Sequence, residues 1–156
     1  MTVTTTSLPG RTAVPCGLTA DNTAVYGLLG FVNNSNVAQS MVAIAYGSAT
    51  SLTLTGAQFV SGIIDLSGSG VLALSMPSVA NIIAALPPTI PQDGTFNFRI
   101  YILNDSTGQT TTVTGVTGVT VLGTATVATA TVREFLVNVN PAAGTVTMLN
   151  LGSTSL

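Results

Sequence analysis

The chain has 156 residues, of which 46% are hydrophobic and 5% charged, with a net charge of -2. Eight residues carry a formal charge, Arg11, Asp21, Asp65, Asp93, Arg99, Asp105, Arg133 and Glu134, and neither lysine nor histidine occurs. This composition argues against disorder, which needs low hydropathy and high net charge. It also argues against a phosphate-binding basic footprint and a polybasic membrane patch.

Residues 1–20 read as an extended N-terminal arm, rich in Thr with Pro9, Gly10 and Pro15 as breaks and no sustained period. The arm has no basic leader and no continuous apolar segment, so a cleavable targeting sequence is not expected. An ordered arm of this kind lies against its own body or against a neighbouring subunit. Cys16 stands alone, which leaves no intrachain disulfide and no cysteine-based metal site. A buried thiol is the plain reading, an interchain disulfide or reactive thiol the sharper one.

A single domain is expected over 21–156. Residues 25–32 form a first apolar run, closed by Asn33-Asn34-Ser35-Asn36. Strands follow over 37–46, 51–55, 59–66 and 71–74, separated by polar and glycine-rich breaks such as Ser67-Gly68-Ser69-Gly70. One helix is expected over about 77–86: Pro77 suits the first turn, Val79, Ile82, Ile83 and Leu86 share a face, and Pro87-Pro88 ends it.

After Gln92-Asp93-Gly94 the alternation is clearest. Phe96, Phe98, Ile100 and Ile102 point one way, and Asn97, Arg99 and Tyr101 the other. Asn104-Asp105-Ser106-Thr107-Gly108 reads as a turn, although its first three residues also match a glycosylation acceptor, as do Asn33-Asn34-Ser35. Residues 110–151 are strand-like throughout. Phe135, Val137 and Val139 are expected to pair in a hairpin with Val146 and Met148 across Pro141-Ala142-Ala143-Gly144. The repeat of Val113, Val116 and Val119 with Thr-Gly spacers is too short to mark a solenoid.

Short strands with one helix indicate an all-β fold, an antiparallel β-sandwich or barrel-like domain. Its core is expected from Phe59, Ile82, Ile83, Leu86, Phe96, Phe98, Ile100, Ile102, Phe135 and Val137. No apolar stretch approaches the roughly 20 residues of a membrane-spanning helix.

The residue inventory argues against an enzyme. Without histidine there is no imidazole base and no His metal site, and without lysine no Schiff base and no P-loop. Asp65, Asp93, Asp105 and Glu134 read as turn formers or surface carboxylates, with a shared acid–base or calcium site as the alternative. Gly115, Gly118 and Gly123 lack the following helix and lysine of a phosphate loop. Arg99 and Arg133 are expected in cross-strand or intersubunit ion pairs, with a ligand carboxylate as the alternative, and Arg133 and Glu134 on opposite strand faces. No catalytic, cofactor-binding or metal-binding residue and no cofactor is expected.

The same scarcity of charge bears on partners. A lone monomer of this mass exposes roughly 7,200 Å², about one charge per 900 Å² of surface. Near-neutral surfaces associate readily, so a subunit of an assembly is expected.

Residues 56–153 carry a further signal. The segments Gly56-Ala57-Gln58-Phe59-Val60-Ser61-Gly62, Leu72-Ala73-Leu74-Ser75-Met76-Pro77-Ser78-Val79-Ala80, Gly94-Thr95-Phe96-Asn97-Phe98-Arg99-Ile100, Thr117-Gly118-Val119-Thr120-Val121-Leu122-Gly123-Thr124-Ala125-Thr126-Val127 and Arg133-Glu134-Phe135-Leu136-Val137-Asn138-Val139 resemble, in order and spacing, a β-rich module of structural proteins from tailed bacteriophages and some large DNA viruses. The turn at 141–144 is shorter than the acidic, serine-containing turn usual there. Residues 1–55 match no part of it.

The resemblance implies a non-enzymatic virion protein: a capsid decoration, head fibre or spike subunit, often trimeric, with other virion structural proteins and the capsid shell as partners. Alternatives are a glycan- or receptor-binding fibre tip, against which stand the absence of Trp and the scatter of Tyr26, Tyr46 and Tyr101 among strands, with Tyr101 the residue to test, and a self-assembling filament or shell protein. Nucleic acid and membrane are not expected partners.

Overall fold

A computed structural model describes residues 40–87 and 94–156. The expected arm, Cys16, Tyr26, the strand over 25–32 and Asp93 lie outside the described residues. The elements are β1 (Ser40–Gly47), β2 (Ser51–Thr53), α1 (Gly56–Val60), β3 (Gly62–Gly68), β4 (Leu72–Ser75), α2 (Val79–Ala85), β5 (Phe96–Asn104), β6 (Thr111–Thr114), β7 (Val119–Leu122), β8 (Thr126–Val127), β9 (Thr131–Asn140) and β10 (Thr145–Ser155).

The strands form a large sheet of six, ordered β1-β3-β5-β9-β10-β7, and a small sheet of four, ordered β2-β4-β6-β8. The fold is strand-rich, as composition suggests, but its sheets are mixed rather than antiparallel. Pairings β1/β3, β3/β5, β7/β10, β2/β4 and β4/β6 are parallel, and only β5/β9, β9/β10 and β6/β8 are antiparallel. The physical reason is the path of the chain. From β1 to β6 consecutive strands alternate between the two sheets. Each excursion through the small sheet supplies the long crossover that parallel neighbours require.

The helices sit on the return legs of this coil. α2 falls inside the expected range, with Ser78 Oγ accepting from Asn81 N at 3.3 Å as its N-cap. Leu86, held extended before Pro87, ends it. The run expected as one strand over 59–66 instead splits into α1 and β3. A capping box starts α1: Gln58 N donates to Thr55 Oγ1 at 3.2 Å, and Thr55 N donates to Gln58 Oε1 at 2.8 Å. That Thr-x-x-Gln spacing is the signal that distinguishes α1 from a strand.

The C-terminal hairpin has the expected register, with Val139 opposite Val146 and Val137 opposite Met148. β5 alternates as read, burying Phe96, Ile100 and Ile102 while Asn97 and Arg99 face out. The inner faces of both sheets and the helices contribute to one core. Of the ten expected core residues, eight are buried, and Phe98 and Ile83 pack partly buried against that core. Phe98 meets Phe59 edge-on at 5.9 Å and stacks with Phe96 at 5.5 Å between centroids.

Thr111, on the inner face of β6, is fully buried and its hydroxyl has no hydrogen-bond partner. A buried orphan hydroxyl costs roughly 1–3 kcal/mol. Thr111→Val is therefore expected to raise stability by about 1 kcal/mol in chemical denaturation. A lower denaturation midpoint in the variant would show that the hydroxyl is satisfied after all.

Candidate interaction surface

The two sheets treat their outer faces differently. The small sheet turns out Ser51, Thr53, Ala73, Ser75, Thr112, Thr114 and Thr126, short and mostly hydroxylated side chains that water solvates readily. The large sheet adds apolar rows to its polar ones. Leu122 of β7, Leu149 of β10 and Leu136 of β9 stand side by side in register across its outer face. Leu122 is 45% and Leu149 43% exposed, and Leu151, at the β10 bulge, is 44% exposed. Toward the other edge, Met41, Ile63 and Tyr101 form a second cross-strand row over β1, β3 and β5, with Met41 61% exposed. Leu103 and Val132 lie in the row beyond.

Polar groups share this face: Asn97, Asn138, Thr147 and Thr120 form a cross-strand row directly beside the leucines, and Arg99, Tyr101 and Glu134 form a bonded cluster. Arg99 Nη1 donates to Glu134 Oε1 at 2.6 Å, across the β5/β9 pairing. Tyr101 Oη donates to the same carboxylate oxygen at 3.1 Å. Hydrogen bonding with the Tyr101 hydroxyl, then with Glu134, raises the Arg99 pKa above its already high ordinary value, so its charge persists at every pH the fold meets. Asn138 Nδ2 donates to Asn97 Oδ1 at 2.7 Å one row away. Asp65, on the outer face of β3, is flanked by Ala43 and Leu103.

Other residues singled out in the sequence fall elsewhere. Asp65 and Glu134 are separated by β5, roughly 10 Å at ordinary strand spacing. Asp105 is exposed in the loop after β5. Among the described residues no three His, Cys, Asp or Glu side chains gather as metal ligands. Arg133 and Glu134 do face opposite ways: Arg133 lies on the core side of β9 opposite Ile102, its Nε buried without a partner.

Gly118 adopts φ +81°, and a Cβ there would lie 2.7 Å from Val79 Cγ2, so its role is to let the β6–β7 turn approach α2. Tyr46 is buried and donates its hydroxyl to Gly70 O at 3.1 Å. Tyr101 is half-buried in the Arg99–Glu134 cluster. Neither stands as an open platform for a sugar ring.

Asn104, the acceptor position of the glycosylation pattern, is fully buried and its Nδ2 is committed to Gln109 O and Val127 O. It is a structural hub rather than a modification site in the folded chain. Among the described residues no helix is long and apolar enough to cross a membrane.

The leucine row was the feature alternation did not isolate. Its signal is present in β9 and β10, where Phe135-Leu136-Val137 and Met148-Leu149 place apolar residues on both strand faces. Continuous apolar runs of this kind mark strands that are covered on both sides. Comparison with protein-family models, curated proteins and solved structures finds no match to this chain.

Proposed function

We propose that this chain is a non-enzymatic structural subunit of a virus particle surface: a capsid decoration, head fibre or spike that works as a homo-oligomer, with a trimer favoured. The observation that carries the assembly part is the pair of apolar cross-strand rows on the outer face of the large sheet, one of Leu122, Leu149 and Leu136 and one of Met41, Ile63 and Tyr101. Monomeric proteins seldom present large contiguous apolar patches to water. The near absence of charge supports the same reading, since copies of this chain scarcely repel one another. The virion location rests on the resemblance over residues 56–153. That setting suits a chain of packed strands with no histidine, no lysine and few carboxylates.

Sedimentation of the purified full chain tests the reading. An oligomer is expected whose mass is the same at low salt and near 1 M salt, where charges are screened within about 3 Å. Hydrophobic contact survives that screening and ion pairing does not. A monomer at micromolar concentration in both buffers would overturn the proposal.

A further inference from the structure

We infer that the outer face of the large sheet is a homotypic contact, and that its occupant is a second copy of this chain packed sheet against sheet. The inference rests on the assembly reading above and names the surface and partner it uses.

Three observations favour a copy of the chain over a different partner. The first is area. Six strands spaced about 4.8 Å apart, each presenting roughly seven residues at about 3.3 Å, span about 25 by 25 Å. The accessible area of so corrugated a face exceeds its projection of about 600 Å², which brings it near the roughly 800 Å² per partner of a stable interface. The small sheet, with strands of two to four residues, offers far less.

The second is charge. Arg99 and Glu134 neutralise each other within the face, and Asp65 is the other charged residue on its strands' outer side. A face of one dominant sign would repel its own image and recruit an oppositely charged protein. This face carries no dominant sign, so it does not repel its own image and offers no charge pattern that would select an oppositely charged protein.

The third is composition. Leu122, Leu149 and Leu136 make a straight row in register, and rows of branched side chains interdigitate when two sheets pack about 10 Å apart. Contacts between copies are more apolar than contacts between transient partners. Two identical faces in contact are related by a two-fold axis, so a dimer or an even-numbered assembly of such pairs is expected in place of a trimer, and a trimeric mass would overturn this inference but not the assembly reading.

The experiment is sedimentation equilibrium of the full chain, wild type, Leu149→Asp and Thr112→Asp, with circular dichroism on each. Leu149 is 43% exposed and Thr112 is exposed on the small sheet, so each carboxylate can reach water in a lone subunit. The expected result is an oligomeric wild type, a Leu149→Asp variant at least 100-fold weaker in association with an unchanged spectrum, and a Thr112→Asp variant that stays assembled. If Leu149→Asp loses its spectrum, the milder Leu149→Asn is expected to weaken association at least 10-fold while folded.

An oligomeric wild type that Leu149→Asp and Leu149→Asn leave intact overturns this inference but not the assembly reading. So does dissociation by Thr112→Asp alone. A monomeric wild type overturns both, and if Leu149→Asp then also lowers stability, the face is covered by this chain's own residues.

Discussion

Gly56→Ala will destabilise the fold by about 3 kcal/mol, although alanine is the better helix former by roughly 0.5–1 kcal/mol. Gly56 is buried at the start of α1, where the two helices meet. A Cβ at this position would stand 2.0 Å from Asn81 O and 3.1 Å from Ala85 Cβ. Asn81 O is backbone, so it cannot swing aside as a long side chain would. α1 must move away from α2, drawing Phe59 and Val60 out of the core. Overpacking of this kind costs about 1–3 kcal/mol where neighbours can adjust, and the high end applies where they cannot. Gly56→Val, with two further carbons against the same backbone, is expected to cost more than alanine. Denaturation midpoints of both variants check this, and an unchanged Gly56→Ala midpoint would mean the helices are not in contact here.

Asn104→Ala is expected to cost a similar amount, about 3–4 kcal/mol, for a different reason. The side chain is fully buried and ties three separate backbone groups together. Its Nδ2 donates to Gln109 O at 2.8 Å and to Val127 O at 2.9 Å, and its Oδ1 accepts from Ser106 N at 3.3 Å. Gln109 O keeps a second donor in Ser106 Oγ at 2.8 Å, so Val127 O and Ser106 N bear the loss. Each buried group left unpaired costs roughly 1–3 kcal/mol.

Asn104→Asp should be no better, since a carboxylate would face two carbonyl oxygens without a proton to offer. Ser106→Ala removes one shared bond and is expected to cost only about 1 kcal/mol. Amide hydrogen exchange would show the 105–110 loop and β8 opening first in Asn104→Ala. Protection there equal to wild type would place the anchoring elsewhere.

These two positions mark the limits of what local pattern conveys. Gly56 read as one more glycine among 16, because the neighbour that forbids a side chain, Asn81, lies on another helix. Asn104 read as a turn residue, and it does bond Ser106 N as a turn asparagine does. Its bond to Val127 O, which joins the end of β5 to the small sheet, connects residues 23 apart in sequence. No local rule reaches that far.

Alternation and capping, by contrast, are short-range and were legible. The faces of β5, the register of the β9–β10 hairpin and the position of α2 all follow from spacing within one segment. The capping box of α1 was equally available, but the apolar run from Phe59 onward suggested a strand and obscured it. The leucine row was half legible. Apolar residues on both faces of β9 and β10 are visible in the chain, but only the register aligns Leu136 and Leu149 with Leu122.

Residue types and their spacing are enough to make this chain rich in strands, to leave eight charges for its whole surface, and to turn particular side chains of β5, β9 and α2 inward. Those properties depend on residue type and on periods of two or four residues. The path of the chain in space settles which strands are neighbours, that most of them pair in parallel, and that leucines from three strands line up on one outer face. Those properties depend on where the chain goes between strands. A strand's own residues specify which face is buried, but not which strand lies beside it.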